Sequence, residues 1–384
     1  MSKNYEFTFL SISFIISFSL QLMGAYLILW FYSLGLSFTE IGLVTSIYML
    51  LTLSIDIPSS ALADKYGRLK IFSIGTLIYG LGLVGLSFSS SSFVFLCYGI
   101  MGAGLGIYSN TLEAWIVDSL NSRERIPKIF SRQQVMNGIA GFSGNAFASV
   151  LVLLFRSLSL PILIAGFVIL ITMPIALLTD DNKGGKTATL PTRKVLKEGI
   201  KCIWVNKPLP LLLISSIFTV FPLVAWMQFI SPYVVNVLGL SQEYWGFILS
   251  AYFLTVALGG YINEKLLKRM SHKLIAVISA GLLSLFVTLL SFGELMLVLV
   301  FLLALSLIYP IRSSNTISWE NEIIPSDYRA TVLSSFSLII RIMYILVPPL
   351  VGYLISVYGY AFTYLTIGTL SLVGVIPLVI AYKT

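Results

Sequence analysis

The stretch Asp56–Lys70, DIPSSALADKYGRLK, decides how this chain is read. It follows a long, mostly apolar run. It sets one carboxylate, Asp56, among apolar neighbours and a second, Asp64, at the head of Asp-Lys-x-x-Gly-Arg-x-Lys. In water such a run would have to hide in a core. In a bilayer it is a helix that ends at a charged face. Composition selects the bilayer. The 384 residues are 57% hydrophobic and 10% charged, with a mean hydropathy of +0.94, against about 25% charged in a soluble domain. No soluble fold of this length hides so much apolar side chain.

Several function classes drop out. The net charge of +8 would suit nucleic acid if it formed a solvated basic face. Here it is scattered through short loops, so its expected partner is the anionic inner leaflet. Cys97 and Cys202 make no disulfide framework, and the single histidine, His272, lies in a basic loop, so no metal site is expected. Gly185-Lys186-Thr187 looks like the end of a phosphate loop. The first glycine of such a loop would fall on Asp180, and a membrane segment precedes it instead of a soluble strand. No nucleophile–base set is visible either, so neither an enzyme nor a cofactor is expected. The first apolar segment is far longer than a signal-peptide core and reads as a retained helix.

A span needs about 20 mostly apolar residues. On that scale twelve candidates appear: 8–33, 39–62, 71–89, 93–119, 127–155, 159–179, 209–235, 242–262, 272–291, 294–319, 327–356 and 360–382. The ten-residue alternation of a membrane barrel is absent. With the N-terminus placed in the cytoplasm, 20 of the 24 lysines and arginines fall on the inside, and the outside loops hold only Arg156. That asymmetry sets the topology, with both termini cytoplasmic. The expected fold is an all-α polytopic membrane protein of twelve transmembrane helices.

The polar stretch 180–208 divides the chain into a six-helix bundle at 1–179 and another at 209–384. Within this cytoplasmic linker, Thr192–Val205 suits an amphipathic helix lying on the leaflet. The two halves echo each other. Leu34-Gly35-Leu36-Ser37 with Gly42 and Tyr48 matches Leu238-Gly239-Leu240-Ser241 with Gly246 and Tyr252 at an offset of 204. Asp118 matches Glu322 at the same offset, Ser109-Asn110-Thr111 matches Ser314-Asn315-Thr316 at 205, and Asp64, Lys65 and Arg68 match Glu264, Lys265 and Lys268 at 200. Duplication of a six-helix unit gives a 6+6 pseudo-symmetric arrangement.

Twelve spans, the duplication and the Asp64–Lys70 motif together resemble the major facilitator superfamily. Its loop between spans two and three reads Gly-x-x-x-Asp-Arg/Lys-x-Gly-Arg-x-Arg/Lys. Here Ser60 stands for the leading glycine, followed by Asp64, Lys65, Gly67, Arg68 and Lys70. A weaker copy runs from Gly260 through Glu264 and Lys265 to Lys268. Asp56-x-Pro58, Glu113-Ala114-x-x-x-Asp118 and Pro325-x-x-x-Arg329-Ala330-Thr331 are similar to pieces found in its drug/proton-antiporter-like branches. The resemblance implies a cytoplasmic gate in which Asp64, Arg68 and Asp118 form a charge network that latches the halves. The bland alternative for these residues is a topological anchor.

Four charges lie deeper. At 1.5 Å rise per residue, Asp56 sits about 12 Å above Asp64, Glu113 about 7 Å above Asp118, Arg312 about 15 Å from Glu322 and Arg341 about 18 Å from Arg329. Charge at such depth needs a cavity or a partner. Asp56 and Glu113 are the proton-coupling candidates. Arg312 and Arg341 are their counter-charges or contacts for a substrate, with a static ion pair as the alternative. Arg132, about one turn inside span five, is expected to snorkel. The amides Gln21, Asn137, Gln228 and Asn315 are candidates to line the cavity; each is equally suited to helix–helix glue. The resemblance, in which spans one, four, seven and ten line the cavity, favours Gln21, Gln228 and Asn315.

The reading is a monomeric secondary transporter of the inner membrane that moves a small organic solute by alternating access, with proton-coupled efflux expected. The rivals are a proton-coupled or facilitative importer of a nutrient and, more distantly, a non-transporting membrane scaffold.

Overall fold

The computed structural model describes residues 2–120, 125–179, 201, 203–204, 207–324 and 329–383. Arg123, Gly185-Lys186-Thr187, Pro325 and most of 180–208, including nearly all of the expected amphipathic helix, lie outside them. Hydrocarbon offers no partner to a backbone N–H or C=O, so an apolar run that crosses it must close its own hydrogen bonds as helix. The runs do so: α1 Tyr5–Ser33, α2 Phe38–Tyr66, α3 Arg68–Ser87, α4 Ser91–Ser119, α5 Ile126–Phe155, α6 Ser159–Leu177, α7 Pro208–Gln228, α8 Gln242–Leu267, α9 His272–Phe292 and α10 Leu295–Ile323. The helix Arg329–Val373 contains Gly359 at φ 77°, ψ 175°, where two helices meet. The portion before Gly359 is α11. The portion after it, with Val375–Lys383, is α12. The twelve-helix fold read from the sequence is therefore present. Large apolar side chains such as Leu81, Leu154 and Leu350 stand exposed, as lipid-facing residues do.

Two junctions show how the sequence sets the ends. Ser37 opens α2 with a capping box. Its hydroxyl accepts from the Glu40 backbone N–H, and its own backbone N–H donates to the Glu40 carboxylate at 2.8 Å. Between α2 and α3 the expected loop shrinks to one residue. Asp64 and Lys65 remain helical, and Gly67 alone turns the chain at φ 109°, ψ 135°. Its N–H still bonds to the Ala63 carbonyl. A Cβ is strained at that φ, so Gly67→Ala is expected to cost about 1 kcal/mol or more. An unchanged midpoint of thermal unfolding in detergent would refute this.

The described residues form two compact units. One lies within Met1–Ala188 and takes in Ser241–Ser250; the other lies within Thr189–Leu240 and Ala251–Thr384. In the first, α1 packs on α5 and α6, α3 on α4 and α6, and α2 on α4. Small residues permit these crossings. A Cβ on Gly104 would lie 2.6 Å from the Tyr79 nitrogen, and one on Gly75 would lie 2.7 Å from the Tyr108 nitrogen, so α3 and α4 touch backbone to backbone. Ser241–Ser250 is tied in by Tyr26, whose hydroxyl donates to the Gln242 carbonyl at 3.0 Å, and by Arg156, which pairs with Glu243 at 2.8 Å. In the second unit Leu209, Leu212, Ala276, Trp319, Phe336 and Leu378 join α7, α9, α10, α11 and α12 in one apolar core.

Candidate functional site

The rim of the first unit carries an ion-pair cluster. Arg68 opens α3 and is 7% exposed. Its Nη2 lies 2.9 Å from Asp118 Oδ2, at the end of α4, and 3.4 Å from Asp64 Oδ1, one turn earlier in the chain. Lys65 turns away and lies over the Tyr66 ring; Lys70 is exposed. The second unit builds its rim differently. Lys268 and Glu264 pair at 3.5 Å but both are well exposed, and Lys265 covers Tyr261. Glu322, the match of Asp118, is held by His272 Nε2 at 2.8 Å and Lys273 Nζ at 3.0 Å. In each unit, then, the head of the third helix meets an acid near the end of the fourth. Arg68 and His272 are themselves 204 residues apart, so this offset extends to the ion pair and the 200-residue match of Arg68 to Lys268 does not. The reason is local: α8 ends at Leu267, which leaves Lys268 in the turn before α9. Gly260 has open space around it.

Deeper in the first unit, α4 is broken. Its helix stops at Tyr108 and restarts at Thr111, with Asn110 left-handed at φ 62°, ψ −12°. Asp56 clasps the break. It accepts from Ser109 Oγ at 3.1 Å and from Asn110 Nδ2 at 3.4 Å. On the same face of α2, Thr52 donates to the Gly102 carbonyl at 2.9 Å and Ser59 to the Gly106 carbonyl at 2.8 Å. Asp56 thus completes a polar seam between α2 and α4. The restart places Glu113 in a first helical turn, facing a cavity of about 240 Å³ lined by Ser13, Ser17, Tyr108, Glu113, Gln133 and Asn137, among others. Gln133 is buried and donates to Glu113 at 3.2 Å and to Ser13 at 3.3 Å; Ser17 donates to Asn137 at 2.8 Å. The Tyr108 hydroxyl is buried with no partner among the described residues.

The second unit has its own cavity, about 230 Å³, between α7, α10 and α11. Arg312 and Glu320 both line it, at 5% and 8% exposure. In the sequence Glu320 is masked by Glu322, the rim acid two positions on. The signal was present: 312, 316 and 320 recur every four residues and so share a helix face.

The other candidates are spread out. Arg341 is half-buried on α11 and does not line this cavity. Gln228 ends α7, away from both cavities. Gln21 accepts from Asn145 at 3.3 Å, joining α1 to α5. Asn315 is buried and donates to Asn263 at 2.6 Å, joining α10 to α8, while Asn263 donates to Ser314 at 3.1 Å. An α8 amide therefore meets Ser314-Asn315 much as the α2 carboxylate Asp56 meets Ser109-Asn110. Arg132 pairs with Glu6 of α1. Among the described residues no group of acids, histidines and cysteines is placed to hold a metal.

The helical membrane fold thus holds two small cavities, one in each unit, each with one or more charged side chains on its wall. The family model of the Major Facilitator Superfamily matches residues 9–339 and, again, 229–384. The chain belongs to that superfamily. The uncharacterized MFS-type transporter YfmI of Bacillus subtilis (strain 168) is 26% identical over 189 residues, which is 48% of this chain and 46% of that protein. The match therefore spans about half the length of this curated relative. Among solved structures, the nucleoside transporter NupG shares the fold at a TM-score of 0.82 and 16% identity, over 99% of this chain and 100% of that one. A bacterial homologue of the human lysosomal transporter Spinster does so at 0.77 and 14%, over 100% and 97%. The POT family transporter PepTSo does so at 0.77 and 11%, over 99% and 98%. Family and fold indicate a multi-pass membrane transporter rather than an enzyme.

Proposed function

We propose that the chain is a proton-coupled exporter of a small organic solute. In this reading it acts as a monomer in the inner (plasma) membrane with both termini cytoplasmic, in the manner of the drug/proton antiporters its motifs resemble. The two six-helix halves, 1–179 and 209–384, joined by the linker 180–208, work by alternating access. The observation that carries the reading is Glu113, an acid set in a polar cavity by the broken α4 and held by Gln133. A carboxyl so placed can take a proton from one side and release it to the other. Asp56 supports it by holding the break. The cluster of Arg68, Asp64 and Asp118 is the cytoplasmic gate, since ion pairs at a partly wet rim break at modest cost. The second-half motif at Gly260, Glu264, Lys265 and Lys268 is the corresponding gate element of the second unit. Arg312 and Arg341 supply counter-charge or contact the substrate, and Gln21, Asn137, Gln228 and Asn315 are the candidates to line its path.

Proteoliposome flux, measured with the pH gradient imposed in either direction, tests the reading. Wild-type flux is expected to follow the gradient, with protons entering as solute leaves. Glu113→Gln is expected to lose gradient-driven flux while keeping solute exchange at zero gradient. Full coupling in both Glu113→Gln and Asp56→Asn would remove the proton role.

A further inference from the structure

The second-unit cavity contains more unsatisfied polarity than a packed helix interface tolerates. Arg312, Thr316 and Glu320 stand at i, i+4 and i+8 on one face of α10, so Arg312 and Glu320 are separated by about 12 Å along the axis. All three line the cavity, and all are more than nine-tenths buried. The Arg312 Nε and the Thr316 hydroxyl have no hydrogen-bond partner among the described residues. The Arg312 Nη2 reaches Ser215 Oγ only at 3.5 Å. No described cation forms an ion pair with Glu320. Each buried charge costs several kcal/mol unless paired, and these two line the same space without closing an ion pair on each other. The rest of the lining is mainly apolar and aromatic, with Leu223 from α7, Tyr309 from α10, and Ile340 and Tyr344 from α11, and it includes the hydroxyls of Ser216 and Thr219.

We propose that this cavity binds a zwitterion of amino-acid type with an apolar body. Its carboxylate pairs with Arg312, its ammonium group with Glu320, and the Thr316 hydroxyl bonds to the head group between them. The charge balance selects this class. A lone anion would satisfy Arg312 and leave Glu320 unpaired; a lone cation would do the reverse. A zwitterion satisfies both and leaves the cavity neutral. The side chain of the solute then lies against the tyrosines and aliphatic residues. The inference gives a substrate class to the transport reading and rests on it for its biological use, while the binding itself is measured without transport.

The test is thermal stabilisation of the purified full-length chain in detergent by three probes that share one ring. These are phenylalanine, 3-phenylpropionate, which lacks the ammonium group, and phenethylamine, which lacks the carboxylate. Phenylalanine is expected to raise the unfolding midpoint in a saturable way, and each truncated probe to bind about tenfold or more weakly, the loss of one charge-assisted hydrogen-bonded contact. Arg312→Gln is expected to lose response to phenylalanine. Glu320→Gln, nearly the same shape, is expected to lose the preference for phenylalanine over 3-phenylpropionate. It keeps the test valid if Arg312→Gln fails to fold. The proposal falls if phenylalanine leaves the wild-type midpoint unchanged, if 3-phenylpropionate binds the wild type as tightly as phenylalanine does, or if Glu320→Gln keeps the wild-type preference. Gradient-driven flux of another solute without phenylalanine binding would sink this site and leave the transport reading standing. Phenylalanine binding with no flux in proteoliposomes would do the opposite.

Discussion

Gly104→Leu is expected to prevent the first unit from assembling. The α3–α4 crossing is a contact between backbones: a Cβ at Gly104 meets the Tyr79 nitrogen at 2.6 Å and the Tyr79 Cα at 2.8 Å. No rotamer change relieves a clash with main chain. The two helices must separate, and the Gly75 contact one turn away is lost with them. Overpacking costs 1–3 kcal/mol where side chains can give way, and here the cost is expected to exceed about 3 kcal/mol. The variant should elute as aggregate or unfold far below the wild type. Gly138→Ala is the control, because nothing lies within 4 Å of its Cβ position in α5. That change should stay within about 0.5 kcal/mol. A monodisperse Gly104→Leu protein with a wild-type midpoint would overturn the account of the crossing.

Arg68→Ala is expected to be the most damaging charge deletion in the first unit. It leaves Asp64, at the end of α2, and Asp118, at the end of α4, without their shared cation. Both acids are more than a third exposed, so solvent screens part of the repulsion. Loss of hydrogen bonds to charged groups sets the scale, about 1.5–3 kcal/mol before that discount. Arg68→Lys should recover part of the loss, because one nitrogen, Nη2, makes both contacts and an ammonium group on a different stem replaces it only in part. High salt should narrow the gap between wild type and Arg68→Ala. Equal unfolding midpoints for wild type and Arg68→Ala at low salt would show the cluster to be ornamental.

The membrane class, the helix count and the doubling were legible because they depend on run length, charge placement and recurrence, which a linear sequence displays. Gly359 was legible as a boundary even where the helix reads as continuous, since the expected spans divide there. The shortness of the α2–α3 junction was not. Asp64, Lys65, Arg68 and Lys70 look like loop by polarity, yet they lie on helix ends that project into the polar zone. The break at Asn110 left no composition signal. Its cause is tertiary: the acid that holds it comes from another helix, more than 50 residues away. Pairings were the least legible. Which lysine or histidine Glu322 meets depends on where α8 stops, and a residue or two decides it. Glu320 lay within reach of a four-residue periodicity but was obscured by a second acid two positions on.

The single-residue junction at Gly67 has a mechanical corollary. A long loop between two rods absorbs displacement, so one rod can tilt while the other stays still. One glycine, with Arg68 fastened to Asp64 before it and Asp118 beyond, has no such slack. Any screw motion of α2 is handed to α3 as through a crank, and the torque reaches the end of α4 through the same guanidinium.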